Sequence, residues 1–316
     1  MKLSQIFNHI VARVLEAVAW MDDAVQARLD ALSHKNAPSS PPARNEPVPP
    51  SVTPITRVHS HNDYEHTHPL FDALDNGFTS IEADIYLVNG QLLVGHSPIE
   101  LKPGRTLEAL YLKPLLDQVQ QNKGHVYASS PQNVQLLIDI KTDNNSTYKA
   151  LEVLLEKYKD MFTSYTGTTV NPSALSVVIS GNRPDPAVMQ APPVRYAAYD
   201  GTFADIGKPA TLVPLVSDDW YTKLKWNGIG DMPAPERQKL VDFVNAAHAH
   251  GQKIRFWNAP DNPATWKELL AANVDYINTD HLPELRAWVL QNDPQQPANI
   301  KTATDPANPN KGPGPS

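Results

Sequence analysis

Residues 55–63 read Ile55-Thr-Arg-Val-His59-Ser-His61-Asn62-Asp63, a short β-branched run that ends in imidazole, amide and acid groups. Such a run predicts a strand, and the polar residues at its end decide the fold. A doubly wound open sheet usually carries a glycine-rich phosphate loop after its first strand, and none stands here. A (β/α)8 barrel instead collects reactive side chains where its strands end. Outward from this stretch, strands are predicted at Ile55–Ser60, Thr79–Leu87, Val134–Ile140, Leu175–Ser180, Val194–Tyr199, Leu212–Ser217, Lys253–Trp257 and Asp275–Asn278. Helical patterns fall between them at Thr106–Gln121, Thr147–Tyr158 and Ala234–His250, the last closed by Gly251 as a C-cap. Asn89-Gly90, between the apolar runs Ile85–Val88 and Gln91–Val94, marks a hairpin inserted after the second strand. This alternation predicts an α/β fold, a (β/α)8 TIM barrel.

Nearly every predicted strand ends in polar groups: His61-Asn62, Glu82-x-Asp84, His96 after the hairpin, Asp139-x-Lys141, Asn182-Arg183, Asp200, Ser217-Asp218-Asp219, Trp257-Asn258 and Asn278-Thr279-Asp280. Glu82 and Asp84 lie two apart on a strand and share one face, inward in a barrel. Inward carboxylates repel unless a cation compensates them. With Asp139 and the amide oxygen of Asn62 they form an oxygen-only donor set, which suits one Mg²⁺ or Ca²⁺ ion rather than zinc. Such an ion acts as a Lewis acid on a phosphate oxygen, with Lys141 adding positive charge beside it. His61 and His96 supply a general base and a general acid. The bland alternative makes Glu82 and Asp84 a core ion pair with Lys141 and Arg183. A rival catalytic reading takes His59-x-His61, with Asp280, as the start of a zinc amidohydrolase site. That site needs histidines at the ends of middle strands, but Tyr199-Asp200 and Ser217-Asp218 stand there. His59 is therefore read as a packing neighbour of the site. His66, His68, His125, His248 and His250 receive no role; His248 and His250 suit a helix end.

The net charge of −7 and the lack of a basic stripe argue against a nucleic-acid partner. The chain has no cysteine, which excludes thiolate metal sites, cysteine nucleophiles and disulfides. Of its 30 prolines, seven fall in Ala37–Pro54 and six in Asp293–Ser316, stretches that read as a Pro-rich linker and a disordered tail. The domain plan is thus residues 1–36, 37–54, a barrel over 55–292, and 293–316. Apolar residues from Leu3 to Leu32 recur at helical spacing, predicting an amphipathic helix that offers a protein or membrane contact. That helix is too polar for a transmembrane span and lacks a clear signal cleavage site, so cytoplasmic placement is favoured over secretion.

Six blocks carry a family resemblance: His59-Ser-His-Asn-Asp-Tyr64, Gly77-Phe-Thr-Ser-Ile-Glu-Ala-Asp-Ile-Tyr86, Gly90-Gln-Leu-Leu-Val-Gly-His96, the run Arg105–Leu116, Leu137-Ile-Asp-Ile-Lys141 and Val274-Asp-Tyr-Ile-Asn-Thr-Asp280. Over Ile55 to Leu290 the chain resembles the superfamily shared by phosphatidylinositol-specific phospholipase C and glycerophosphodiester phosphodiesterase. Within it, the chain is most similar to the branch of the altered-inheritance-of-mitochondria proteins. The resemblance implies His61 and His96 as catalytic residues and Glu82, Asp84 and Asp139 as metal ligands. Asn62 stands where the glycerophosphodiesterases usually have Arg and is like the phospholipase C pattern, in which it binds the metal. Asp139 replaces their usual Glu and is similar to sphingomyelinase D. The implied reaction is attack on phosphorus by a substrate hydroxyl, giving a cyclic phosphate that is then open to hydrolysis. That makes the chain a phosphoric diester hydrolase or a phospholipase C- or D-like lyase, acting on a small phosphodiester or phospholipid. Lys141 and Arg183 are the phosphate-binding candidates, and Arg255 and Trp257 fall where a head group can be contacted. The competing class is a non-catalytic phosphodiester-binding barrel or scaffold, with residues 1–54 as a docking arm.

Overall fold

The computed structural model describes residues 47–296. The amphipathic helix, the first part of the linker and the tail beyond residue 296 lie outside the described residues. Among the described residues eleven strands are formed: β1 Val58–Ser60, β2 Ser80–Val88, β3 Gln91–Val94, β4 Val134–Ile140, β5 Ser164–Thr166, β6 Thr169–Asn171, β7 Leu175–Gly181, β8 Ala198–Gly201, β9 Leu215–Asp219, β10 Lys253–Trp257 and β11 Ile277–Thr279. Eight of them pair in parallel in the order β10-β9-β8-β7-β4-β2-β1-β11. A bridge between Arg255 and Tyr276 joins the two ends, so the sheet is a nearly closed (β/α)8 barrel.

Alternation along the strands sorts the side chains into two sets. Ile81, Ala83 and Ile85 of β2, Leu136, Ile138 and Ile140 of β4, and Ile254 and Phe256 of β10 face the helices and belong to the main core. Leu137, Val178, Leu215 and Tyr276 instead form a small apolar cluster of their own. These are the inward residues, and the residues two further along β4, β7 and β9 are polar, as is Glu82 on the same face of β2. The barrel is therefore plugged by an apolar layer with a polar layer above it, at the strand ends.

Local chemistry accounts for most elements and for the departures from expectation. Asn89 and Gly90 both adopt positive φ (48° and 78°), as a two-residue hairpin turn requires, and Val88 pairs with Gln91. The helix expected over Thr106–Gln121 is split: a π-turn at Glu108–Leu112 precedes an α-helix at Lys113–Gln121. Pro114, which has no N–H to donate, sits where the α-helix restarts. The fifth barrel strand starts at Ala198 rather than Val194, because Arg195 exchanges both backbone hydrogen bonds with Tyr165 of the β5–β6 hairpin. That hairpin turns at Gly167-Thr168, where Gly167 takes φ +57° between the paired Thr166 and Thr169.

The folded body runs past both expected borders. Val48 is buried in the core, and Ser129 Oγ donates to Val52 O. At the other end Asp293 and Gln296 are buried and joined to each other. Among the described residues no helix is long and apolar enough to cross a membrane.

Candidate active site

A cavity of about 470 Å³ opens at the strand ends. Nine of the ten residues singled out in the sequence line it: His61, Asn62, Glu82, His96, Asp139, Lys141, Arg183, Arg255 and Trp257. The tenth, Asp84, is buried beside it.

The carboxylates meet because β2 and β4 pair in register, Asp84 opposite Asp139. One oxygen each from Glu82, Asp84 and Asp139 lies within 4.8 Å of the others. Gly181 makes room for this: at φ +66° it stands so close that a Cβ would come 2.2 Å from Asp139 Oδ1. Lys141 Nζ lies 3.0 Å from Asp84 Oδ2 and 3.0 Å from Asp139 Oδ1, one positive charge shared by these two carboxylates. Burial, reinforced by the charge of Glu82, pushes the Asp84 carboxyl up to about 7. Asp84 Oδ1 is buried without a hydrogen-bond partner among the described residues. An under-compensated cluster of hard oxygens with an orphaned buried atom fits a divalent cation. Glu82, Asp84 and Asp139 would hold it, with Asn62 beside them.

Glu82 is held differently. Burial opposes its charge, but hydrogen bonding to His59 and the Arg255 guanidinium keep its carboxyl well below the usual range. His59 Nε2 lies 3.2 Å from Glu82 Oε2 and 2.8 Å from Arg255 Nη1, and Nδ1 lies 2.7 Å from Ser80 Oγ. Burial and Arg255 lower its pKa to about 4, so the ring is neutral and occupied on both nitrogens. This is the place of a supporting side chain, and the zinc arrangement does not form: among the described residues no histidine joins the carboxylate cluster.

His61 Nδ1 donates to Asp280 Oδ1 at 2.8 Å across the mouth. Burial works against the imidazolium, but Asp280 and the charge of Glu82 outweigh it and raise the His61 pKa. The pair leaves Nε2 as the nitrogen available for chemistry. His96, after the hairpin, lies with Nδ1 3.1 Å from Tyr64 Oη. Tyr64 Oη is also 2.6 Å from Asp84 Oδ2 and 2.8 Å from Asn62 Oδ1. Burial and the nearby Asp84 push its phenol well above the usual range, so it stays protonated.

The cations divide the cavity in a way the sequence did not disclose. Arg183 does not reach Glu82 or Asp84; its Nη1 donates to Asp200 O at 2.9 Å and meets Asp205 at 3.4 Å. Arg255 is the ion-pair partner of Glu82 (3.7 Å) and of Asp200 (3.6 Å), and its Nε donates to Ser217 Oγ at 3.1 Å. Buried among these partners, it is a fixed internal cation with one edge on the cavity. Trp257 is 42% exposed at the rim. Two participants have roles that the sequence leaves unassigned. Tyr64 has as its only signal its place in the His59–Tyr64 block, and Asp280 figures in the sequence as a strand-end acid and in the zinc reading, not as the partner of His61.

The barrel brings the carboxylate cluster and two histidines, His61 and His96, to one cavity at its strand ends. Residues 48–200 match the model described as an AIM6-like phosphodiesterase domain, and residues 253–283 match that of the glycerophosphoryl diester phosphodiesterase family. The chain is 34% identical over 267 residues to the Altered inheritance of mitochondria protein 6 of Eremothecium gossypii, covering 73% of this chain and 69% of that protein. It is 30% identical over 308 residues to the Kluyveromyces lactis protein of that name, covering 74% and 72%. To the Arthroderma benhamiae homolog it is 28% identical over 312 residues, covering 88% and 96%. The chain belongs to the Altered inheritance of mitochondria protein 6 family of AIM6-like phosphodiesterase domains. Among solved structures it is similar to a glycerophosphodiester phosphodiesterase from Parabacteroides distasonis, with TM-score 0.48 and 16% identity over 76% of this chain and 98% of that one. It is also similar to the phosphatidylinositol-specific phospholipase C of Listeria monocytogenes, with TM-score 0.44 and 12% identity over 76% and 94%.

Proposed function

We propose that the protein is a metal-dependent phosphoric diester hydrolase, acting on a glycerol- or inositol-type diester through a cyclic phosphate. The observation that carries this is that His61 and His96 line one cavity together with the carboxylates of Glu82 and Asp139. A bound Mg²⁺ or Ca²⁺ would supply Lewis-acid stabilisation of charge on phosphate oxygens. The chain's own residues do the rest. His61, held by Asp280 through Nδ1, takes at Nε2 the proton of the attacking substrate hydroxyl. The hydroxyl oxygen bonds to phosphorus, the bond to the leaving oxygen breaks, and His96 delivers a proton to that oxygen. Each transfer is worth roughly 10²–10⁴ in rate. Lys141 and Arg183 line the cavity as cations for the phosphate, and Trp257 offers a rim surface to the alcohol.

Ile99, Tyr221, Ile229 and Trp257 are large exposed apolar or aromatic side chains. They lie after His96 or on segments at and beyond the ends of β9 and β10. Of these, Trp257 lines the cavity and favours a diester with an apolar part. The test is a panel of glycerophosphodiesters, lysophospholipids and phosphatidylinositol with Mg²⁺ or Ca²⁺. Product from one class supports the reading, and no product from any of them refutes it.

A further inference from the structure

Tyr64 Oη has three polar neighbours and one proton. Asp84 Oδ2 is at 2.6 Å, Asn62 Oδ1 at 2.8 Å and His96 Nδ1 at 3.1 Å. A phenol donates one hydrogen bond and accepts up to two. The carboxylate is an acceptor and makes the shortest contact, so it takes the phenolic proton. The other two neighbours must then donate to the phenolic oxygen. For His96 this requires the proton on Nδ1. For Asn62 it requires the amide to present its NH₂, an orientation of the same shape because amide O and N are near-indistinguishable. One donor and two acceptors then account for all three contacts.

We propose that Tyr64 is a positioning residue that fixes the Nδ1–H tautomer of His96 and turns the Asn62 amide oxygen away from the phenol. This rests on the acid–base role assigned above to His96. The two histidines are then wired differently. His61 meets its carboxylate directly, at 2.8 Å. His96 Nδ1 lies 3.7 Å from Asp84 Oδ2, too far for a hydrogen bond, and Tyr64 bridges the gap. Asp84 is thus tied both to the candidate cation site and, through one hydroxyl, to the second histidine.

The scaffold around Tyr64 is built to hold it. Tyr64 is buried within a three-residue 3₁₀ turn, Asp63–Glu65, that directs its ring back toward β2. Arg105 Nη2 donates to the Tyr64 carbonyl at 2.7 Å. Asp63, next to it, accepts from Leu70 N, Tyr111 Oη and Ser60 Oγ. Removing only the hydroxyl, by Tyr64→Phe, keeps the ring packing and deletes the bridge.

The test is long-range ¹H–¹⁵N correlation of the histidine side chains at alkaline pH, with His96 assigned as the signal lost in His96→Ala. Wild type should show His96 as the Nδ1–H tautomer, against the Nε2–H preference of free histidine. Tyr64→Phe should shift it toward Nε2–H. With an active substrate and saturating Mg²⁺, Tyr64→Phe should lower kcat by about 10- to 100-fold with KM within about twofold. A wild-type Nε2–H tautomer overturns the proposal, as does an unchanged tautomer in Tyr64→Phe. The wild-type spectrum decides alone should the variant fail to fold. Because the spectrum needs no turnover, failure of the phosphodiesterase reading and failure of this proposal are separately visible.

Discussion

Replacing Asp280 by Asn keeps the shape of the partner that holds His61 and removes its charge. In the native protein Asp280 Oδ1 accepts from His61 Nδ1 at 2.8 Å. The Asp280 side chain is 61% exposed and that of His61 34%, so solvent screens the pair and an exposed-pair worth of about 0.5–1 kcal/mol applies. The sign comes from both partners. His61 has a raised pKa when folded, so its share is present below its unfolded value and is lost as pH rises through the folded one. Asp280 has a lowered pKa, so its share is present above its unfolded value and is lost as pH falls through the folded one. The pair therefore contributes most between the ordinary carboxylate and imidazole ranges, around pH 5. Urea denaturation of wild type and Asp280→Asn at pH 5 and pH 8 should give a cost of about 0.5–1 kcal/mol at the lower pH and less at the higher. In activity, the acid limb of the pH–rate profile should move to lower pH in Asp280→Asn, because His61 then loses its proton more readily. A stability cost that is equal at both pH values, or larger at pH 8, would refute the charged-pair assignment.

Three further outcomes are expected. Asp139→Asn should weaken calorimetric binding of Ca²⁺ or Mg²⁺ by at least about tenfold while leaving the fold intact, because it removes one hard anionic ligand from the cluster. Gly181→Ala should destabilise by more than about 1 kcal/mol and weaken the same binding, since its Cβ would meet Asp139 Oδ1 at a φ of +66°. Gly90→Ala should cost about 1 kcal/mol in denaturant melts through backbone strain alone, because φ is +78° and nothing lies within 4 Å of the added carbon.

The parts of the fold legible in the sequence are those set by short-range rules. Period-two alternation places Glu82 with Asp84, and Asn89-Gly90 announces its hairpin by chemistry that only positive φ explains. The cavity wall is legible too, because inward residues at successive strand ends must converge once the barrel forms. The parts that are not legible depend on register and on turns. Arg183 and Arg255 both read as cations at the mouth. Arg255 lies within β10 and points in to Glu82 and Asp200, whereas Arg183 lies past Gly181 and turns to Asp205. Asp280 reaches His61 only because β11 pairs with β1, Thr279 opposite Ser60, a contact spanning the whole barrel sequence. Tyr64 acts through a single 3₁₀ turn that strand periodicity does not describe. Val194 has the right strand propensity but leads into a segment claimed by a neighbouring hairpin, an instance of tertiary pairing overriding local preference.

The most direct test of the central claim is phosphorus NMR of a cleavable diester incubated with the wild-type protein, with and without Mg²⁺ or Ca²⁺, and with His61→Ala and His96→Ala. A cyclic phosphate should form only with the cation present and only when both histidines are intact. Undiminished turnover in a chelator, or in either histidine variant, would contradict the claim.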